Sequence, residues 1–479
     1  MPLPKYVIQR LRFSTVRFDR CHESPNRRAQ LLSPPLSVAQ PSEWPRTGAS
    51  SARCLRYSLT YPIYRQVTIE KLSDEALLKI FRYFSDASPR FWPRLVHICR
   101  RWRRIVFASQ RVLQLRLFCT HGTPVSQALY CWPDIPIIVQ YGGSPTLDPP
   151  APEEDGDIMV ALKQSGRVSS ISLTVTRSLL AKFSTIKEPF SGLDELVLLS
   201  RDSTQLTLPS AFRWGPRLRR LHSTRIALPA LLRHPSSSRH LVDIQLHDIS
   251  NGRYLSPKAL AKTLSGMDQL RSLSLRFRSA TNHITIPPRS GKRVILPALT
   301  HLRFRGITKY LEDLLSRVNA PHLGDIDIAF LDGPIIGLSS LPIFIPRLKM
   351  HESLCQADIL FSEHSVSISL TRPETPTCLK IQVSCGTSSC QLLCITRICC
   401  NLSAFLLQVK VLRISAVRLP SEQDDSTYAQ WRKLACRFTN AKRLYVDGEY
   451  EQLRHIMALW GTGTMHIQIR RHNSLTRLG

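Results

Sequence analysis

Leu299-Thr300-His301-Leu302-Arg303-Phe304 places apolar residues at the first, fourth and sixth positions of a short stretch. The same pattern stands on either side, at Leu270-Leu273-Leu275 and Leu323-Ile326-Ile328. Working outward, it recurs at Val168-Ile171-Leu173, Leu193-Leu196-Leu198 and Leu241-Ile244-Leu246, with Leu218-Leu221-Ser223 a weaker copy. Successive copies lie roughly 23–29 residues apart, a period that marks repeat architectures. Two apolar residues spaced by two share one face of a strand, because strand side chains alternate. Helix-like stretches separate several copies, as at Ser256 to Met267 and Lys309 to Val318. Strand-then-helix units of this kind stack and bury a core between a strand row and a helix row.

Period and pattern resemble leucine-rich repeats. The Asn that those repeats carry just after the strand is missing, and Thr176, Arg201, Ile249, Arg278 and Leu331 stand in its place. Without that side-chain ladder, an irregular solenoid is expected. Looser copies follow at Cys378-Ile381-Val383, Val409-Leu412-Ile414 and Ala441-Leu444-Val446. Val366 to Leu370, a connection at Thr371 to Thr377, and Cys378 to Val383 read as a hairpin inserted into the array.

The chain has 479 residues, which points to more than one folding unit. Its charge is +30, from 65 Lys and Arg against 35 Asp and Glu. A field of that sign favours acidic partners: nucleic acid, anionic membrane or acidic protein. The alternative is that Arg is simply abundant on a solvated surface. No uninterrupted apolar run approaches the length of a membrane span. Cys99, Cys119 and Cys436, among 13 Cys, sit in apolar surroundings and read as buried, reduced thiols. A cytoplasmic or nuclear location follows from that reading.

Residues 1–66 read as a basic, disordered extension. Their first 60 residues hold ten Lys and Arg against three acids, with Pro and Ser in the second half. Order is expected from Val67. Ser73 is a suitable N-cap, and Asp74 and Glu75 follow where a helix dipole favours acids. Leu77, Leu78, Ile80, Phe81 and Phe84 then recur at helical spacing. A second helix is expected from Pro93 to Phe107, with Leu95, Val96, Ile98, Cys99, Trp102, Ile105 and Val106 as its apolar stripe.

This region resembles the F-box, whose pattern runs Leu-Pro-x-Glu-x-Leu-x-x-Ile-Phe and later Val-Cys-x-x-Trp. Here Leu72, Glu75, Leu77, Ile80, Phe81, Cys99 and Trp102 match. Ile98 replaces Val, and Ser73 replaces the Pro. Leu115 to Thr120, Trp132-Pro133 and Pro136 resemble the region behind the F-box in large fungal F-box families, which continue into degenerate leucine-rich arrays. The resemblance implies an α+β chain: a small helical F-box, then an irregular α/β leucine-rich-repeat-like solenoid. The expected divisions are 67–110 for the F-box, 111–157 for a linker with the first strand and a Pro-rich acidic loop, and 158–479 for the solenoid.

The resemblance further implies a non-catalytic substrate receptor of an SCF-type ubiquitin ligase. Leu72, Leu77, Ile80, Phe81, Ile98, Cys99 and Trp102 would form or support a surface for a Skp-type adaptor, and through it a cullin. Trp102 would be the anchor. Arg90, Arg94, Arg100, Arg101, Arg103, Arg104, Arg111 and Arg116 lie in a window without an acid and would steer an acidic adaptor. The repeats would hold a protein substrate.

No catalytic motif stands in the sequence: no phosphate-binding glycine loop, no His-Glu-x-x-His, no acid–base pair. No cofactor is expected. Cys385, Cys390, Cys394, Cys399 and Cys400 lack a C-x-x-C pair and a nearby His, so no metal is expected either. On the outward strand face, Arg220, His222, His247, Arg276, His301, Arg303 and Arg305 would form a basic groove, interrupted by Glu195, Asp243, Asp325 and Asp327. Arg220, Arg276, Arg303 and Arg305 are the candidate contacts to an acidic or phosphorylated substrate. Two alternatives stay open. One is a basic repeat protein associated with nucleic acid, although no zinc-finger or RNP-type motif stands out. The other is a leucine-rich scaffold whose F-box-like helices only cap the solenoid.

Overall fold

Each copy of the repeat pattern forms a strand. In chain order the strands are β1 (Leu117–Cys119), β2 (Ile137–Tyr141), β3 (Val168–Val175), β4 (Glu195–Ser200), β5 (Leu206–Thr207), β6 (Arg220–Thr224), β7 (Ile226–Ala227), β8 (Asp243–Ile249), β9 (Ser272–Phe277), β10 (Val294–Ile295), β11 (His301–Gly306), β12 (Val318–Asn319), β13 (Asp325–Phe330), β14 (Gln356–Phe361), β15 (Ser365–Thr371), β16 (Leu379–Ser384), β17 (Val411–Ala416), β18 (Arg443–Asp447) and β19 (His466–Arg470). This computed structural model describes residues 69–88, 90–142, 154–228, 239–249, 255–278, 293–331, 344, 354–372, 379–385, 387–416, 425–447 and 466–470. The basic extension expected over 1–66 and most of the acidic loop lie outside the described residues.

Fifteen strands form one sheet, in the order β1-β2-β3-β4-β6-β8-β9-β11-β13-β16-β15-β14-β17-β18-β19. Pairing from β1 to β13 is parallel throughout. The register aligns the motif residues. Ile171, Leu196, Leu221, Ile244, Leu273, Leu302 and Ile326 stand opposite one another across seven strands. Leu173, Leu198, Ser223, Leu246, Leu275, Phe304 and Ile328 make a second row. All are buried, and each large apolar side chain removed from water contributes about 1.5–3 kcal/mol. Ser223 explains why its copy looked weak: its hydroxyl donates to the Ile226 carbonyl at 2.8 Å, which keeps the buried oxygen satisfied.

Helices cover the apolar face. The helix expected over Ser256 to Met267 is Pro257–Leu264, capped by the Ser256 hydroxyl, which accepts from the Ala259 N–H. The one expected over Lys309 to Val318 is Thr308–Arg317. Its Tyr310 stacks against Phe304 of β11 and donates to the Leu255 carbonyl at 2.8 Å.

Backbone hydrogen bonds join successive repeats at both strand ends. The Asp194 carbonyl accepts the N–H groups of Arg219 and Arg220, and the Arg219 carbonyl accepts those of Val242 and Asp243. Val242, Arg271 and Thr300 repeat the arrangement toward β9, β11 and β13. At the other strand end, the Arg278 N–H reaches the Ile249 carbonyl and the Leu331 N–H reaches Gly306.

Val366 to Leu370 does pair with the strand after it, since β15 and β16 run antiparallel. The excursion also recruits β14, whose Gln356-Ala357-Asp358-Ile359-Leu360-Phe361 had no place in the repeat count. β14 pairs antiparallel with β15 and parallel with β17, while β16 pairs parallel with β13. The chain therefore skips two strand positions after β13 and fills them backwards. Short connections dictate this. Residues 362–364 between β14 and β15 permit only a reversal, whereas a parallel return needs a crossover of a dozen residues or more.

Among the described residues, a short 3-10 turn (Ile69–Lys71) and three α-helices precede the sheet: α1 (Asp74–Ala87), α2 (Trp92–Val96) and α3 (Arg100–Ala108). Ser73 caps α1, its hydroxyl accepting from the Ala76 N–H at 3.2 Å. The single helix expected over Pro93 to Phe107 is two. Cys99 is extended, with φ −156° and ψ 169°, and its Sγ accepts from the Trp102 N–H. A cap at that position ends one helix and starts the next. Trp92 seats the helices on the sheet, its indole N–H donating to the Arg116 carbonyl at 2.8 Å. The Ser85 hydroxyl donates to the Leu113 carbonyl, and Trp92 packs edge-on against Trp132. Contacts thus cross the division expected at residue 110. The helices and the sheet share one continuous core.

Candidate functional site

The residues matched to the F-box divide into two groups. Leu77 and Phe81 on α1 are fully buried, and Trp102 on α3 packs against Phe81 with ring centroids 4.7 Å apart. These three are interior residues of this chain. Trp102, expected as the anchor for a partner, instead joins α3 to α1, because the α2–α3 break turns its ring inward. Leu72 and Ile80 are partly buried, while Ile98 is 46% exposed and Cys99 is also exposed. The accessible apolar surface is therefore Ile98, Cys99 and the edges of Leu72 and Ile80. Tyr83, 62% exposed, adds a residue that the motif comparison passed over.

An arginine clamp fixes this group. Arg101 donates to Asp74 Oδ1 at 2.6 Å and to the Leu72 carbonyl at 2.6 Å. Arg104 lies 3.6 Å from the second Asp74 oxygen. Arg103 Nε donates to the Val96 carbonyl at 3.0 Å, tying α3 to α2. Asp74 thus serves two arginines as well as the helix dipole. Arg94, Arg100, Arg103 and Arg104 remain exposed around the apolar patch.

The sheet's outward face holds the second set. Arg303 on β11 lies between Ser274 of β9 and Asp327 of β13, and Arg305 stands directly opposite Arg276. Arg276, Arg303 and Arg305 are exposed, and no ion pair joins them to an acid among the described residues. Like charges directly opposite on neighbouring strands repel. Arg220 does not belong to the group. It sits on β6, beyond β8, and pairs with Asp194 at 3.6 Å and Glu195 at 3.5 Å. His222 and His247 lie between these places, ring centroids 4.9 Å apart. Burial, then the charges of His222 and Arg276, pull the His247 pKa down to about 4, and burial also lowers that of His222. Both rings are neutral at neutral pH, so they do not add to the basic charge there.

The cysteines correct one expectation. Cys119 is buried, and burial with the Asp157 charge pushes its pKa up to about 11. Cys99 and Cys436 are exposed, the first as a cap between helices and the second just past the helix Asp425–Ala435. Cys385, Cys390 and Cys394 converge, their sulfurs all within 4.8 Å of one another. The sequence spacing hid this because one thiol stands just past β16 and the other two share a helical turn.

No family model matches the chain, and no curated relative matches it. Among solved structures, the chain is similar to the leucine-rich repeat-containing protein LegL7 from Legionella pneumophila. That likeness has 13% identity and a TM-score of 0.28, over 68% of this chain and 90% of that one. What the fold defines is a mixed α/β protein built on one large, mostly parallel sheet of repeated strands. No described helix is long and apolar enough to cross a membrane.

Proposed function

We propose that this chain is a non-catalytic substrate receptor of an SCF-type ubiquitin ligase. Its helices α1–α3 dock an acidic Skp-type adaptor, and the Arg276–Arg303–Arg305 group engages an acidic or phosphorylated segment of a protein substrate. One observation carries the reading. Ile98 is 46% exposed beside Cys99, between α2 and α3, and Arg94, Arg100, Arg103 and Arg104 are exposed on those two helices. An acidic adaptor would be steered by those arginines and would cover the apolar residues. The interior of the helices is already closed by Leu77, Phe81 and Trp102, so the partner completes a surface, not a core.

Co-purification with a Skp-type adaptor tests this, using Ile98→Asp. An unpaired carboxylate placed under the adaptor should lower affinity on the order of a hundredfold. The exposed position leaves the fold intact, which circular dichroism checks. Equal recovery of adaptor by wild type and variant would sink the proposal.

A second reading rests on the seating of Trp92 at Arg116, next to the edge strand β1. Helices that close a sheet edge protect it from pairing with other chains, so α1–α3 would serve as a cap alone. Complete absence of adaptor binding by the wild-type chain favours this reading. Nucleic-acid binding is separated by its salt dependence, since phosphate contacts weaken steeply with added salt.

A further inference from the structure

Cys385 directly follows Ser384, the last residue of β16, and Cys390 and Cys394 stand one turn apart on the helix Ser388–Asn401. The Cys385 and Cys394 sulfurs are 3.6 Å apart, and those of Cys390 and Cys394 are 4.0 Å apart. Thiolates bound about 2.3 Å from a shared ion lie roughly 3.8–4.0 Å from one another. The 4.0 Å separation falls in that range and the 3.6 Å one lies about 0.2 Å below it, while both are far too long for S–S bonds, which are about 2.05 Å.

The surroundings hold the thiols in place. The Cys385 N–H donates to the His364 carbonyl at 2.9 Å. Gln391, buried beside Cys390, donates through Nε2 to the Ser362 carbonyl at 2.8 Å. The turn between β14 and β15 therefore grips both arms of the cluster. Thr387 caps the helix by accepting from the Cys390 N–H. Cys390 thus sits in the first turn of that helix, its position fixed by the cap. Cys385 and Cys394 are buried, while Cys390 is only partly so and gives an ion a way in. No His or carboxylate joins them among the described residues.

We propose that Cys385, Cys390 and Cys394 form a three-thiolate site for a thiophilic d10 cation, Zn2+ or Cu+. Thiolate donors select these ions over hard cations. Each thiol releases its proton to solvent as its sulfur–metal bond forms, so no oxidant or reductant is required. Three donors complete a trigonal Cu+ site, whereas Zn2+ would take a fourth, exogenous ligand such as water. An ion there would join the end of β16 to the following helix and so fasten the reversed strands.

The experiment uses the full-length chain, purified without oxygen and freed of metal. Co2+, as a coloured stand-in for Zn2+, Zn2+ itself and Cu+ are titrated separately, the last two against chromophoric chelators. The expected result is one ion per chain, with sulfur-to-cobalt charge-transfer absorption in the Co2+ arm. Cys390→Ser, at the partly exposed position, should weaken binding at least tenfold, whereas Cys400→Ser, outside the cluster, should leave it unchanged. Bound ion should also raise the melting temperature of wild type and not of Cys390→Ser. The latter's melting temperature without metal checks that it folds. Sub-stoichiometric binding overturns the proposal. So does equal affinity in wild type and Cys390→Ser, or a Cys385–Cys394 disulfide in the anaerobic protein.

Discussion

Helices α1–α3 and the strands from β3 to β13 bury the same kinds of side chain but finish their surfaces differently. The sheet hides two aligned apolar rows and turns Arg, Asp, His and Ser outward. The helices close around Leu77, Phe81 and Trp102 yet keep Ile98 and Tyr83 exposed. The difference separates two kinds of recognition. On the proposed function, the exposed apolar residues of the helices would meet a docking partner, and the cations of the sheet face would hold an ionic segment by charge-assisted hydrogen bonds.

Leu77→Asp should break this contrast most severely. It puts a carboxylate into the fully buried centre of the helices and should destabilise by about 4 kcal/mol or more. Ile98→Asp, two helices away and exposed, should leave stability within about 0.5 kcal/mol. Chemical denaturation of both tests whether interior and docking surface are distinct, and equal destabilisation would merge them. Leu302→Ala, in the aligned row of β11, should cost about 2–5 kcal/mol. It should leave adaptor recovery unchanged wherever the variant remains folded.

Removing a cation from the sheet face should act with the opposite sign. Arg305→Ser relieves the repulsion with Arg276 directly across and should stabilise by about 0.2–1 kcal/mol. The same change should weaken capture of a phosphopeptide. If stability falls and capture is unaffected, the arginines are not a ligand site.

A gentler probe is pH. The folded-state pKa of His247, about 4, lies below its ordinary value of 6.5. Between these values the unfolded chain binds a proton that the folded chain does not, so stability rises with pH. The contribution is complete above about pH 6.5 and is lost as pH falls toward 4. Melting temperatures across that window should decline for wild type and decline less for His247→Gln.

Much of the sheet was legible because alternation is local: Leu302 and Phe304 declare a face without reference to anything else. Direction and neighbour are not local. Ile368 carries the same signal as Ile328, yet its strand runs the other way, because the chain before it allows no crossover. The helices show a different limit. Helical spacing marks Leu77 and Phe81 on one apolar stripe and Trp102 on another, but it cannot say whether the chain or a partner covers them. Arg220 looked equivalent to Arg303 until the fold set it in ion pairs with Asp194 and Glu195. The three thiols were spread over two elements, so only the fold could join them.

The backward filling of the positions beside β13 has a consequence for how the chain is made. A chain emerging from its N-terminus can lay strands down in order as far as β13. It must then extend through β14 and β15 before β16 supplies the strand that β13 lacks. Until then β13 presents an open edge and the β14–β15 hairpin has nothing to join, the state in which sheet proteins are most exposed to pairing with the wrong chain. Synthesis arrested between residues 331 and 379 should therefore yield the species most dependent on chaperones, and a truncation at 331 should be less soluble than one at 385.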